Sequence, residues 1–311
     1  MTTTKVKKKE KKSVTTFLKN NWQLYVMLLP AIVYFFVFKY MPLYGVQIAF
    51  KNYRAVDGIW GSEWIGLEHF RKFFDAYYFK RLITNTLLLN IYGMLWQFPV
   101  PIILAIMVNQ IRSNKLKRFS QTTIYLPHFI STVVLVGMVY IFLSPTGGIF
   151  NVARNALGLE SVDFMSSAGA FRTISVVSAV WQNAGYSSIL FIAALSGVDP
   201  SLYEAAEIDG ASIWQKIRYI DLPTIVPTAM MVLILDCGKL LVSSERKVLL
   251  LQTAGNITTS ETIGTYVYNV GLGNGQFSYT SAIGLFSNII NFALVMIANK
   301  ISKKASNIGL F

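Results

Sequence analysis

Charge is scarce in this chain, and acid is scarcer than base. Of 311 residues only 14% are charged, with 28 Lys plus Arg against 15 Asp plus Glu, a formal net charge of +13. Ordinary soluble domains carry roughly 25% charge, so a soluble enzyme of this length lacks the means to cover its surface. A nucleic-acid surface would account for the positive balance but not for 53% hydrophobic residues, and nucleic acid is not expected as a partner. Anionic lipid on the inner face of a membrane satisfies both facts. The single cysteine, Cys237, excludes an internal disulfide framework and a Cys-based zinc site. His69 and His128 are too few and too far apart for a histidine metal cluster. The sequence has no G-x-x-x-x-G-K-[ST] phosphate loop; Gly238-Lys239 lacks both the upstream glycine and the following Ser or Thr. It also lacks H-E-x-x-H and G-x-S-x-G. No catalytic residue, no metal ligand and no cofactor in this chain are expected.

What is present is long apolar stretches. A bilayer core of about 30 Å takes about 20 helical residues. Charge-free runs of that order cover Leu82–Val108, Thr122–Leu143, Thr173–Val198 and Gln276–Asn299. Trp22–Phe38 continues past Lys39 towards Phe50, and Leu222–Leu241 is apolar until Asp236 and Lys239. The expectation is an all-α membrane protein with six transmembrane helices, because open strands cannot satisfy their backbone in hydrocarbon. Residues 1–20 read as a lysine-rich cytoplasmic tail and 21–311 as one six-helix domain. No small-residue cleavage site follows the first run, so it reads as an uncleaved span. Sixteen basic residues fall on the side of the N-terminus and ten in the opposite loops. That bias places both termini in the cytoplasm, with 112–118 and 199–221 inside and 51–81 and 244–275 outside.

The segment between the fourth and fifth spans is the most patterned. Asp199 or Ser201 can cap a helix, with Pro200 tolerated in its first turn. Leu202, Ala205, Ala206 and Ile208 make a short apolar face, and Gly210 supplies the positive φ that ends it. Ile213, Trp214, Ile217 and Ile220 form a second stripe at helical spacing. Pro223 and Pro227 then break or bend the chain as it re-enters the membrane. Such a helix pair either docks a partner or lies on lipid, and spacing alone does not choose between them.

A family resemblance does. Glu204-Ala205-Ala206, then Asp209-Gly210-Ala211, then Ile220-x-Leu222-Pro223 with Pro227 resemble the EAA loop of permease subunits in binding-protein-dependent ABC importers. The runs Lys39–Phe50, Tyr125–Thr132 and Gly275–Tyr279 resemble carbohydrate permeases related to the maltose permease, nearest the group for complex oligo- and polysaccharides. The likeness covers roughly 20–311 and departs at Asp221, where many relatives carry an uncharged residue. The resemblance implies a cell-membrane permease subunit paired with a second, different permease. It also implies two ATPase subunits holding ATP and Mg, an extracellular sugar-binding protein and an oligosaccharide substrate. The loop 199–223 would couple to the ATPase through Glu204, Ala205, Ala206, Asp209 and Gly210.

Span four holds Trp181-Gln182-Asn183 and Tyr186. Aromatic faces stack on sugar rings and amides bind hydroxyls, which makes Trp181, Asn183 and Tyr186 substrate-pathway candidates. Polar residues also glue helices together in membranes, the preferred reading for Gln182. Asn288 and Asn291 on span six are weaker candidates. His128, beside Pro127 in an apolar span, reads as a packed residue, and Asp236 with Lys239 as an ion pair three residues apart. The alternatives are an ion-coupled secondary carrier and a membrane sensor or scaffold that moves nothing. Spans poor in buried acid and an absence of internal repeats weigh against the carrier.

Overall fold

A computed structural model describes residues 21–242, 245–306 and 309–310; the lysine-rich tail 1–20 lies outside them. Five helices are long and apolar enough to cross a bilayer: α1 (Trp22–Phe50), α2 (Phe79–Asn109), α5 (Ala168–Ser196), α7 (Ile213–Cys237) and α9 (Phe277–Lys304). Two further apolar pieces, α3 (Asn114–Phe129) and α4 (Thr132–Leu143), meet at 94° and bring the number of crossings to six if they form one broken span. Between the crossings lie α6 (Pro200–Ile208) and α8 (Glu245–Leu251). Among the described residues the one sheet is a two-residue antiparallel ladder, β1 (Lys51–Asn52) with β2 (Glu63–Trp64), in register Lys51↔Trp64.

The least apolar of the five long helices, α5, is the most buried. The initial turns Trp22–Phe35 of α1 bury no residue at all, so an apolar helix stands without protein around it, as a bilayer or a second membrane subunit requires. Helix α5 is the hub. It begins at Ser167, whose hydroxyl accepts from the Ala170 N–H, and carries small residues that let neighbours approach. It packs most extensively against α2 and also against α7.

Three apolar clusters result. Leu89, Val136, Phe171, Val176, Val248 and Leu251 join α2, α4, α5 and α8. Ala105, Val108, Phe191, Leu195, Ile225 and Ala229 join α2, α5 and α7 near α6. Phe73, Leu82, Leu241, Ile263, Tyr279 and Ile283 close the opposite end around α9.

Two expectations are corrected. The run Thr122–Leu143 is not one straight helix. Pro127 sits in a tight turn over Leu126–Phe129, Ile130 is extended (ψ 129°), and the Ser131 hydroxyl restarts the helix by accepting from the Val134 N–H. The fifth crossing starts at Ile213, not Leu222, and Pro223 and Pro227 do not break it. A π-type turn over Ile217–Asp221 precedes Pro223 and loosens the ladder instead. In the segment after α7, Val248, Leu251, Thr262 and Thr265 are buried.

Candidate functional site

The loop at 199–223 is built as its residues dictate. Asp199 caps α6 by accepting from the Ser201 N–H at 3.0 Å. The helix ends at Gly210, with φ +71°. The Ala211 N–H reaches back to the Ala206 carbonyl at 2.8 Å and the Gly210 N–H to the Glu207 carbonyl at 3.1 Å. This is the Schellman pattern, which needs a residue tolerant of left-handed backbone at that place. Ser212 and Gln215 then form a reciprocal capping box that opens α7.

Glu204, Ala205, Asp209 and Gly210 are exposed and Ala206 is half-buried. Around them Leu202, Ile208, Ile213 and Trp214 also lie exposed, Ile208 at 87% and Trp214 at 76%. The loop therefore presents a small, partly apolar knob of fixed shape. One ion pair holds it. Lys216 pairs with Glu207 at 2.8 Å across the turn, and that hydrogen bond holds the Glu207 carboxyl below its ordinary range.

Behind the knob lies a polar knot that the sequence did not reveal. Asp221 is fully buried and accepts from the Tyr203 hydroxyl of α6, from Gln110 Nε2 at 2.7 Å and from Asn109 Nδ2 at 3.4 Å. Burial, then the bond to Asp221, pushes the Tyr203 phenol up to about 12. One carboxylate thus ties α6 to the end of α2 and the start of α7. The position noted as a departure from the EAA pattern is a structural fastener.

The middle of α5 serves the break between α3 and α4. Gln182 Nε2 donates to the Ile130 carbonyl at 2.8 Å, which the extended backbone leaves without a helical partner. His128 stacks on Tyr186 with ring centroids 3.9 Å apart and planes at 7°, and its Nδ1 bonds Asn183 Oδ1 at 3.1 Å. Gly185 takes α3 so closely that an added Cβ would sit 1.8 Å from the Ile124 carbonyl oxygen. Gln182 and His128 are packing residues, as their sequence context predicts.

Beside this joint is a cavity of about 400 Å³ between α2, α5, the end of α7 and α8. Amides and hydroxyls from Asn90, Gln97, Ser175, Gln182 and Asn183 line it, with Leu89, Met94 and Val176 between them. Of the three pathway candidates Asn183 lies in its wall; Trp181 and Tyr186 are outside it, each about half-exposed. Asn291 instead accepts the Leu241 N–H at 2.9 Å, ending the turn after α7. Charge enters the cavity through Asp236 and Lys239, paired at 3.1 Å, and through Lys247 of α8. Lys247 could not have been singled out from sequence, since nothing in Glu245–Leu251 indicates which face turns inward.

A membrane-spanning helical chain with a polar cavity and a rigid exposed loop defines a transport protein of the permease class. The chain belongs to the family described as binding-protein-dependent transport system inner membrane component, whose pattern matches residues 97–307. It is 40% identical over 305 residues to the polygalacturonan/rhamnogalacturonan transport system permease protein YteP of Bacillus subtilis (strain 168), covering 98% of this chain and 95% of that protein. Protein LplB of the same organism is 40% identical over 294 residues, covering 94% and 92%. Among solved structures, a bacterial ABC transporter involved in the import of the acidic polysaccharide alginate superposes with TM-score 0.86 at 38% identity. It covers 95% of this chain and 100% of that one. The same transporter in complex with an alginate pentasaccharide-bound periplasmic protein gives 0.86 and 37%, covering 96% and 100%. The chain is thus a multi-pass membrane permease subunit of an ABC importer.

Proposed function

We propose that this subunit carries an oligosaccharide, delivered by an extracellular binding protein, through a pathway shared with a second, different permease. Both termini lie in the cytoplasm, and two ATPase subunits holding ATP and Mg dock on the loop around Gly210. This chain supplies the path and the coupling, and hydrolysis belongs to the ATPases. The observation that carries the reading is the exposed knob of Glu204, Ala205, Ala206, Asp209 and Gly210, fixed in shape by its caps and fastened through Asp221 to two crossings. A rigid element joined to the walls of a cavity can transmit displacement, whereas a helix pair floating on lipid cannot. In the pathway Asn183 presents an amide to sugar hydroxyls. Trp181 and Tyr186 offer half-exposed rings at the same level of α5, where the partner permease would close the path.

Purification of the tagged chain from its native membrane tests this. ATPase subunits and a second permease should co-purify, and the loaded binding protein should stimulate ATP hydrolysis. Saccharide uptake should follow ATP and ignore a proton ionophore. Uptake that collapses with the ionophore at constant ATP would instead select the secondary carrier.

A further inference from the structure

Lys247 is the anomaly of the cavity. It is 5% exposed, and its Nζ donates to the Ser175 carbonyl of α5. Among the described residues no carboxylate pairs with it. Asp236, the acid in the cavity wall, is held by Lys239, and Glu261 by Arg81. Arg172, on the same helix as Ser175, donates to Asn85. Lys247 stands outside the membrane-crossing helices, yet burial with no opposing charge brings its ammonium down to about 7. A leucine or methionine would pack against Val176 and Val248 without that penalty. A buried cation without a carboxylate partner, on the wall of a cavity lined by apolar side chains, amides and one ion pair, is suited to an anion that arrives and leaves.

Sugars bring negative charge in few forms, and the commonest compact one is a ring carboxylate. The cavity volume of about 400 Å³ admits a sugar ring or two at a time. Gln97 lines the same wall, and Asn90 and Asn183, although each is bonded within the fold, keep further amide donor and acceptor capacity for hydroxyls. We infer that Lys247 is the receptor for the carboxylate of an acidic, uronate-bearing oligosaccharide passing through this cavity. The inference rests on the permease reading above and adds to it a residue; the charge class is that of the alginate and polygalacturonan/rhamnogalacturonan transporters the chain resembles. With Asp236 and Lys239 paired to each other, Lys247 is the basic group of the lining that has no carboxylate partner.

The test uses the complete transporter in proteoliposomes with its binding protein. The two probes are a galacturonate trisaccharide and the same trisaccharide with its carboxylates methyl-esterified, which masks the charge without changing ring or linkage. The wild type should prefer the acid. Lys247→Gln should lose about tenfold or more in kcat/KM for the acid while keeping uptake of the ester, and Lys247→Arg should restore most of the preference. Both variants receive sugar from the same binding protein, so the acid-to-ester ratio reads the membrane subunit alone. A residue that only supports packing would lower both substrates together. An unchanged ratio in Lys247→Gln, or a wild type that takes the ester alone, overturns the inference and leaves the permease reading standing. Import of neither sugar, with no stimulation of ATP hydrolysis, overturns both.

Discussion

Asp221 offers the sharpest perturbation of the coupling mechanism. Replacing it with alanine removes the acceptor for the Tyr203 hydroxyl and for Gln110 Nε2. Hydrogen bonds to a charged group are worth about 1.5–3 kcal/mol each, and the freed donors cost about 1–3 kcal/mol apiece where water cannot reach them. Two offsets apply. A buried carboxylate is no longer desolvated, and Tyr203 is only half-buried, so water can take over part of its bond. The net loss is about 2 kcal/mol, which corresponds to roughly a thirtyfold change in the population of the fastened loop. The loop itself keeps its caps, so α6 should remain helical but sit loosely on α2 and α7. In the purified transporter, Asp221→Ala should retain basal ATP hydrolysis and subunit stoichiometry. It should lose most of the stimulation by loaded binding protein and several-fold in uptake per ATP. Asp221→Asn, which keeps one acceptor oxygen, should fall between. Tyr203→Phe should act in the same direction and be non-additive with Asp221→Ala in a double-mutant cycle. A wild-type ratio of sugar moved per ATP in Asp221→Ala would refute the idea that this knot transmits movement.

Other outcomes follow from single residues. Gly210→Val meets no atom within 4 Å but forces a β-branched residue to φ +71°, a strain on the order of 1–2 kcal/mol. It should assemble normally yet lose sugar-stimulated ATPase activity, and full stimulation with normal uptake would remove the coupling role of the loop. Gly185→Val places a side chain where the Ile124 carbonyl already lies, so α3 must move away from α5. That should cost about 1–3 kcal/mol, read as a lower unfolding temperature of the purified complex, and an unchanged temperature would contradict the close approach. In a Cys237→Ala background, Ser212→Cys should resist an impermeant thiol reagent added to intact cells and react after permeabilisation; labelling from outside would reverse the proposed orientation.

The hydrophobic runs, the basic-residue bias and the 199–223 pattern were legible because each is local. Hydrocarbon demands about 20 apolar residues in succession wherever they fall. The turn at Gly210 and the caps on either side of it depend on local contacts: Asp199, Gly210, Ser212 and Gln215 each act on groups two to five residues away. The reach of local signals ends at the prolines. Pro127 takes part in a 94° break while Pro223 and Pro227 stay inside a continuous helix. What separates them is the partner each freed group finds. Gln182, 52 residues away, takes up the Ile130 carbonyl, whereas near Pro223 a π-type turn re-registers the ladder within the helix. Contacts between distant residues were equally closed to sequence reading. Tyr203 and Asp221 meet through α6 folding back, with Gln110 arriving from another crossing. Lys247, counted among ordinary outer-loop cations by its neighbours in sequence, is turned inward because Val248 and Leu251 on the same short helix are drawn into the core with Phe171 and Val176. Sequence determined which segments are apolar, which turns are allowed and where charge is carried. Tertiary packing alone decided which of those charges became buried, because burial depends on what the other helices bring to the same place.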